Sequence, residues 1–155
     1  SEAGGELVLT KAGHTFIKER MRQEDALFGA ETSAHYYFRD NYFTESSSMA
    51  VICVANIVAK SGKPLSELIK PIKRYFASGE INSEVKSTSS VLAAIKQKYS
   101  DGVMIELDGV SVEYKDWWFN VRASNTEPLI RLNLEARNKA LMEKKRDELI
   151  ALIRK

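Results

Sequence analysis

Hydrophobic and polar residues alternate along two runs near the C-terminus, 117–121 and 129–135. This period of two residues is typical of a strand with one buried face. Two more strands are predicted at 103–107 and 110–114, on either side of Asp108-Gly109. A shorter strand is predicted at 81–85, a helix begins within the Ser-Thr-Ser-Ser segment 87–90, and a last helix begins near Asn138. The predicted order is therefore β-α-β-β-β-β-α, an antiparallel sheet packed by two helices.

The first half of the chain has shorter and less regular patterns. They predict a strand at residues 6–9, a helix at 14–22 and an extended stretch from 27 to 38. Residues 49–59 are apolar nearly all round, which predicts a buried helix, capped by one of the serines 46–48.

Glycine and proline mark the predicted turns and the domain boundary. Pro71 interrupts a helical pattern that opens at Pro64, because proline lacks the backbone N–H that the helix needs. Asp108-Gly109 predicts a two-residue hairpin turn, and 77–79 reads as a boundary. The fold class is therefore α/β followed by α+β. A partial mixed α/β domain at 1–77 precedes a small domain with an antiparallel sheet at 80–155.

Composition excludes several classes of protein. The 155 residues are 44% hydrophobic and 28% charged, with a net charge of +2, which is ordinary for a globular chain and favours neither nucleic acid nor an anionic membrane. The longest apolar run is too short to span a bilayer. Cys53 is the one cysteine, so no disulfide forms within the chain, and its apolar surroundings predict a buried, inert thiol. These features suit a reducing cytoplasm.

The loop between the last two strands is dense in hydrogen-bond donors. Residues 122–128 read Arg-Ala-Ser-Asn-Thr-Glu-Pro, and the donors are Arg122, Ser124, Asn125 and Thr126. A guanidinium can hold two oxygens of a phosphate with parallel N–H bonds, and the other groups can bond the remaining oxygens. The same residue types are common in turns, so composition alone also allows a simple hairpin loop.

A second polar set lies in the extended stretch of the first half. Glu31, Ser33 and His35 occupy positions i, i+2 and i+4, and in an extended backbone they share one face. A carboxylate can accept from two neighbouring sugar hydroxyls, and a neutral imidazole can accept a proton. The alternative interpretation is a solvated strand face.

Both segments resemble motifs of the α-D-phosphohexomutases, in particular the bacterial phosphomannomutase/phosphoglucomutase branch. Residues 122–128 resemble the phosphate-binding loop of the family's last domain, and 30–35 resemble the Gly-Glu-x-Ser-Gly/Ala-His sugar-binding loop of its third domain. Residues 11–14, Lys-Ala-Gly-His, are similar to a Lys-Thr-Gly-His motif near the bound sugar. Three features depart from the family's pattern: Ala12 replaces a usual Thr, Ala30 replaces a usual Gly, and 45–48 replace a usual Asp-Ser-Gly.

The resemblance implies an enzyme that interconverts hexose 6-phosphate and hexose 1-phosphate through a phosphoserine and a bisphosphorylated sugar. It implies Mg²⁺ and hexose 1,6-bisphosphate as cofactors of the full enzyme. Glu31, Ser33 and His14 would bind the sugar, and His35 would be either a further sugar ligand or a proton relay. The four donors of the 122–128 loop would hold the phosphate that is not reacting.

Two family motifs do not occur in these 155 residues: the Thr/Ser-Ala-Ser-His-Asn-Pro loop of the phosphoserine and the Asp-Gly-Asp-x-Asp-Arg metal loop. We therefore expect a C-terminal fragment, the end of domain 3 plus domain 4, that holds no metal and is inactive alone. Its expected partners are hexose phosphates and the N-terminal domains of the same chain, with no nucleic acid and no membrane. The alternatives are a phosphoglucosamine mutase, or a non-catalytic αβ nucleic-acid-binding module, which the charge disfavours.

Overall fold

The computed structural model of the protein describes residues 4–31, 33–124 and 127–155. The chain forms two units, the first ending at Ile72 and the second beginning at Lys73. The predicted boundary at 77–79 lies a few residues after this division. Among the helices of the described residues, none has the length and apolar character needed to cross a bilayer.

The first unit combines a small antiparallel sheet with three helices. Its elements are α1 (His14–Gln23), β1 (Phe28–Ala30), β2 (Tyr36–Phe38), a 3₁₀ turn (Arg39–Asn41), β3 (Thr44–Glu45), α2 (Ser47–Ser61) and α3 (Leu65–Ile69). The sheet order is β1-β2-β3, so the predicted extended stretch is a hairpin with a turn at its centre. Residues 6–9, predicted as a strand, form none, and Leu7 and Leu9 are exposed.

A small core fixes α1 against the hairpin. Ile17 and Met21 of α1 are buried with Tyr37 of β2. Gly29 of β1 faces this helix, and a Cβ there would lie 2.8 Å from the Met21 sulfur and 3.3 Å from Ile17 Cγ2. Because glycine has no side chain here, the body of α1 can pack closely against β1.

Helix α2 differs from its prediction. Ser46 caps it as expected, with its hydroxyl oxygen accepting from the Met49 N–H at 3.2 Å. However, none of its residues is buried, Val51 is 67% exposed, and Cys53 is exposed rather than buried. The apolar composition of the helix is that of a buried helix, but the described residues of this unit leave most of its surface exposed. The prediction that the Cys53 thiol is buried is therefore wrong.

The second unit has the predicted order of elements with one short strand added in front. The elements are β4 (Phe76–Ala77), β5 (Ile81–Glu84), α4 (Thr88–Lys98), β6 (Val103–Ile105), β7 (Val110–Glu113), β8 (Trp117–Ala123), β9 (Leu129–Ala136) and α5 (Lys139–Ile153). All sheet pairings are antiparallel, in the order β4-β9-β8-β7-β6, and β5 also pairs with β9. Residues 76–77, which we assigned to the first part, thus belong to the second sheet.

Strict alternation of burial along β8 and β9 places one face of this sheet in the core. The buried side chains are Trp117, Phe119, Val121, Ile130, Leu132, Leu134 and Ala136. Ile95 of α4 and Leu149 of α5 pack on the same cluster. Full burial of one such side chain contributes roughly 1.5–3 kcal/mol, so the β8–β9 hairpin is firmly held.

The connection between β6 and β7 is longer than the predicted two-residue turn. Ile105 pairs with Ser111, so residues 106–110 lie between the paired positions. Gly109 has a left-handed φ of 72°, and a Cβ there would lie 2.4 Å from the Val121 carbonyl oxygen. This loop therefore lies directly against the end of β8, next to Arg122.

Candidate functional site

The predicted sugar-binding residues lie in the turn between β1 and β2, not along one extended strand. The Glu31 N–H donates to the His35 carbonyl at 3.0 Å, and the Ala34 N–H donates to the Glu31 carbonyl at 3.1 Å. Ala34 adopts a left-handed φ of 64°, which tightens the turn. The interpretation as a strand face is wrong, but the turn still brings the same three side chains together.

A hydrogen-bonded cluster forms around the Glu31 carboxylate, which is 9% exposed. Its Oε1 accepts from the Gly13 N–H at 2.8 Å, and its Oε2 accepts from the Ser33 hydroxyl at 3.1 Å. His35 Nδ1 lies 3.0 Å from Oε2 and 2.8 Å from Ser33 Oγ. The carboxylate is thus fixed in orientation, and it retains lone pairs for further donors.

His14 joins this cluster from the start of α1. Its ring lies 5.1 Å from that of His35 and 5.5 Å from that of Tyr37. Its Nδ1 lies 3.7 Å from Glu45 Oε2. The structure therefore places all four predicted residues of the sugar set in one cluster, with the helix N-terminus beside it.

Sequence reasoning missed two members of this cluster, Tyr37 and Glu45, which pair across β2 and β3. The Tyr37 hydroxyl is buried and makes no hydrogen bond to any residue the structure describes. Burial raises the pKa of Tyr37, and the carboxylates of Glu31 and Glu45 raise it further. These two residues could have been found only from the pairing register of β2 with β3, which the local spacing of residues does not reveal.

The predicted phosphate loop connects β8 to β9. The Ser124 N–H donates to the Leu129 carbonyl at 2.8 Å and closes its base. Asn125 and Thr126 lie outside the described residues. Arg122 stands directly opposite Arg131 in the strand pairing.

One carboxylate, that of Glu80, bridges the two arginines of this hairpin. Arg122 Nη2 lies 3.4 Å from Glu80 Oε2, and Arg131 Nη1 lies 3.4 Å from Glu80 Oε1. Arg122 Nη1 is also 4.0 Å from Asp108 Oδ2. Arg131 Nε is buried without a hydrogen bond to any described residue. The arrangement is a pair of half-buried guanidiniums with capacity for a further acceptor.

Sequence reasoning also missed Arg131 as a member of this site. Arg122 precedes the loop and Arg131 follows it, and the pairing of Ala123 with Ile130 puts the two on the same face. The hairpin register was the available signal, because residues paired across an antiparallel hairpin share one side of the sheet.

The described residues bring together one group of three His, Cys, Asp or Glu side chains whose ligand atoms could share an ion. These are His14, His35 and Glu45. Mg²⁺ prefers oxygen ligands in octahedral geometry, so two imidazoles and one carboxylate do not fit it. His14, His35 and Glu45 therefore do not form a Mg²⁺ site.

The chain matches known proteins along nearly its whole length. The family described as phosphoglucomutase/phosphomannomutase, alpha/beta/alpha domain III, matches residues 1–75, and the C-terminal domain of the same family matches 80–152. A phosphomannomutase of Escherichia coli is 43% identical over 97% of the chain and 34% of its own length. A phosphomannomutase of Methanocaldococcus jannaschii is 42% identical over 98% of the chain and 34% of its own length.

A solved structure gives the same result. A phosphoglucomutase/phosphomannomutase family protein from Burkholderia thailandensis superposes with a TM-score of 0.81 at 28% identity, over 97% of this chain and 33% of that one. The chain spans about a third of the length of the curated relatives it matches. Two adjacent family domains and the shared fold lead to one conclusion: the chain belongs to the phosphoglucomutase/phosphomannomutase family.

Proposed function

We propose that this chain forms the sugar- and phosphate-binding part of a phosphohexomutase that interconverts hexose 6-phosphate and hexose 1-phosphate. The observation that carries the proposal is the bridging of Arg122 and Arg131 by one carboxylate, each guanidinium 3.4 Å from it. A single anion with two oxygens can therefore engage both arginines. Phosphate offers more oxygens and more charge than a carboxylate, so it is the better occupant.

A phosphate clamp of this kind suits a mutase because the sugar must bind in two orientations. Whichever phosphate is not reacting needs a site that recognises phosphate geometry and not the neighbouring sugar carbon. Arginine forks supply that recognition. Binding energy at the remote phosphate positions the reacting end, which is a major part of phosphoryl-transfer catalysis.

The cluster around Glu31 would recognise the sugar ring. Glu31 Oε2 and Ser33 Oγ offer an acceptor and a hydroxyl 3.1 Å apart, a spacing that neighbouring sugar hydroxyls can match. His14 would add a further contact, while His35 would act as a sugar ligand or proton relay. Ser124, Asn125 and Thr126 would complete the phosphate site.

The remaining parts of the proposed reaction lie outside these residues. The phosphoserine and metal motifs do not occur in this sequence. By resemblance to the family, Mg²⁺ and hexose 1,6-bisphosphate are expected requirements of the whole enzyme. The cytoplasm is the expected location. In a coupled assay with mannose 1-phosphate, the bisphosphate and Mg²⁺, we expect no turnover by the chain alone, and turnover that follows the purified chain would contradict this.

The binding test is a ³¹P NMR titration of the chain with mannose 1-phosphate and mannose 6-phosphate. Loss of a charged hydrogen bond costs about 1.5–3 kcal/mol, so Arg122→Ala should raise both Kd values about tenfold or more. Arg122→Lys should recover part of the affinity. Unchanged Kd values in Arg122→Ala would contradict the phosphate-binding role of Arg122 and would leave residues 122–128 as an ordinary hairpin turn.

The matched control is Arg137→Ala, which removes the same charge at the other end of β9. Arg137 is 59% exposed and pairs only loosely with Asp116, at 3.5 Å. It should leave both Kd values unchanged. Glu31→Gln should instead change the preference among mannose, glucose and glucosamine 1-phosphates, which also tests the phosphoglucosamine alternative.

A further inference from the structure

The side chains of His14, His35 and Glu45 converge on one point of the first unit, and their ligand atoms all lie within 4.8 Å of one another. We propose that these three residues bind a late first-row divalent cation, with Zn²⁺ as the representative ion. The site is distinct in chemistry from a magnesium site. The site shares His14 and His35 with the proposed sugar-binding cluster, but its test uses the metal alone, so failure of one proposal does not decide the other.

To hold such an ion, ligand atoms that now lie within 4.8 Å of one another must approach by up to about 1.5 Å. Metal–ligand bonds of 2.0–2.2 Å in a tetrahedral site put ligand atoms about 3.3–3.6 Å apart. His14 Nδ1 and Glu45 Oε2 are already 3.7 Å apart. The His14 and His35 side chains are 49% and 37% exposed, so they can rotate and the ion can enter from solvent.

Glu31 prepares His35 for this role. The Ser33 hydroxyl donates to Glu31, so Ser33 Oγ can accept from His35 Nδ1, which also lies 3.0 Å from Glu31 Oε2. Both contacts favour the tautomer with the proton on Nδ1, which leaves the Nε2 lone pair for a metal. A carboxylate behind a histidine in this way is the usual arrangement around metal-bound imidazole.

The buried Tyr37 hydroxyl is an independent observation in favour of a ligand. It lacks a hydrogen-bond partner among the described residues, and an unsatisfied buried polar group costs about 1–3 kcal/mol. Its ring packs against His14, and its strand partner is Glu45. A ligand bound within this cluster could supply the hydrogen-bond partner that this hydroxyl lacks among the described residues.

The donor set selects the kind of metal. Two histidines and one carboxylate with an open fourth position are a known zinc ligand set, whereas Mg²⁺ and Ca²⁺ take oxygen ligands. Affinity for nitrogen ligands rises toward copper and zinc along the first row. Zn²⁺ and Co²⁺ should therefore bind, and Mg²⁺ should not compete with them.

The test is isothermal titration of the chain with Zn²⁺, followed by the visible spectrum with Co²⁺, without any sugar phosphate. The chain should carry the Cys53→Ser change, because the exposed thiol could itself bind zinc. We expect one equivalent of Zn²⁺, a tetrahedral Co²⁺ spectrum, and no displacement by millimolar Mg²⁺. His14 and His35 are the only two histidines, so imidazole NMR shifts should report on both.

Variants make the assignment specific. His14→Gln and Glu45→Gln should each abolish stoichiometric binding, and Glu31→Gln should weaken it about 10- to 100-fold through His35. The matched control is Glu24→Gln, an exposed carboxylate paired with Arg20. A ¹⁵N–¹H spectrum of each variant verifies its fold. Absence of Zn²⁺ binding in the Cys53→Ser chain, or binding that survives both His14→Gln and Glu45→Gln, would overturn the proposal.

Discussion

Gly109→Ala should destabilise the second unit far more than Gly79→Ala, although the two glycines have nearly the same backbone conformation. Their φ angles are 72° and 70°. At Gly109 a Cβ would lie 2.4 Å from the Val121 carbonyl oxygen and 2.7 Å from Arg122 Cα, whereas at Gly79 no described atom lies within 4 Å. The difference in stability between the two variants therefore measures the steric contribution, because the contribution of the left-handed backbone is the same in both.

The magnitudes follow from these two contributions. A non-glycine residue in the left-handed region costs about 1–2 kcal/mol, and both variants bear that cost. The lower entropy of the unfolded chain offsets part of it equally in both. Overpacking adds about 1–3 kcal/mol at Gly109 alone, because the contacts are backbone atoms that cannot rotate away. With an offset of about 0.4–1 kcal/mol, we expect a total of roughly 0–1.5 kcal/mol for Gly79→Ala and 1–4.5 kcal/mol for Gly109→Ala.

Urea unfolding followed by tryptophan fluorescence measures this difference. Both tryptophans, Trp117 and Trp118, lie on β8, so the signal reports on the second unit. With an m-value of about 1–3 kcal/mol/M, the two midpoints should differ by roughly 1 M. Gly109→Ala should also weaken phosphate binding, since it displaces Arg122. Equal midpoints for the two variants would show that β8 can move away from the added methyl group without loss of stability, and would refute the steric reasoning.

Three further predictions concern single side chains. Glu80→Gln removes an anion that competes for Arg122, so hexose phosphates should bind up to about fivefold more tightly in the ³¹P titration, and weaker binding would contradict competition. The hydrogen bond from Lys145 lowers the pKa of Glu148, so its stabilisation is present above the unfolded value of about 4.3 and is lost as pH falls through the lowered value. Glu148→Gln should therefore cost about 0.2–1 kcal/mol in urea unfolding at pH 7 and nothing in strong acid, and a constant difference would refute the linkage. Cys53 should react with a thiol reagent in native buffer as fast as in urea, and protection would contradict an exposed α2.

Most strands and helices of the second unit could be predicted from the sequence because their signals are local, whereas β4 and the length of the β6–β7 loop could not. Burial alternates along β8 and β9 with the two-residue period of the side chains, so the pattern alone indicates which face is inside. Caps behave similarly: Ser87 and Asn138 accept from N–H groups three residues later, as their positions at helix starts predict.

The remainder depends on contacts between distant segments. Glu45 reaches the His14 cluster only through the pairing of β2 with β3, and Arg131 joins Arg122 only through the hairpin register. The left-handed Ala34 turns a predicted strand into a bend, and alanine gives no local warning of that conformation. Burial of α2 failed as a prediction for a related reason: an apolar pattern indicates a preference for a partner surface but does not supply one.

The hydrogen bond from the Gly13 N–H to Glu31 has an evolutionary consequence. Gly13 is the N-cap of α1 and offers no side chain of its own, so the Glu31 carboxylate from the β1–β2 turn satisfies the first N–H of the helix. One side chain thus serves both helix stability and the proposed recognition of the sugar. We therefore expect selection for a different hexose to act first on neighbouring positions such as Ser33, because a change at Glu31 that removes its acceptor oxygen also weakens the helix.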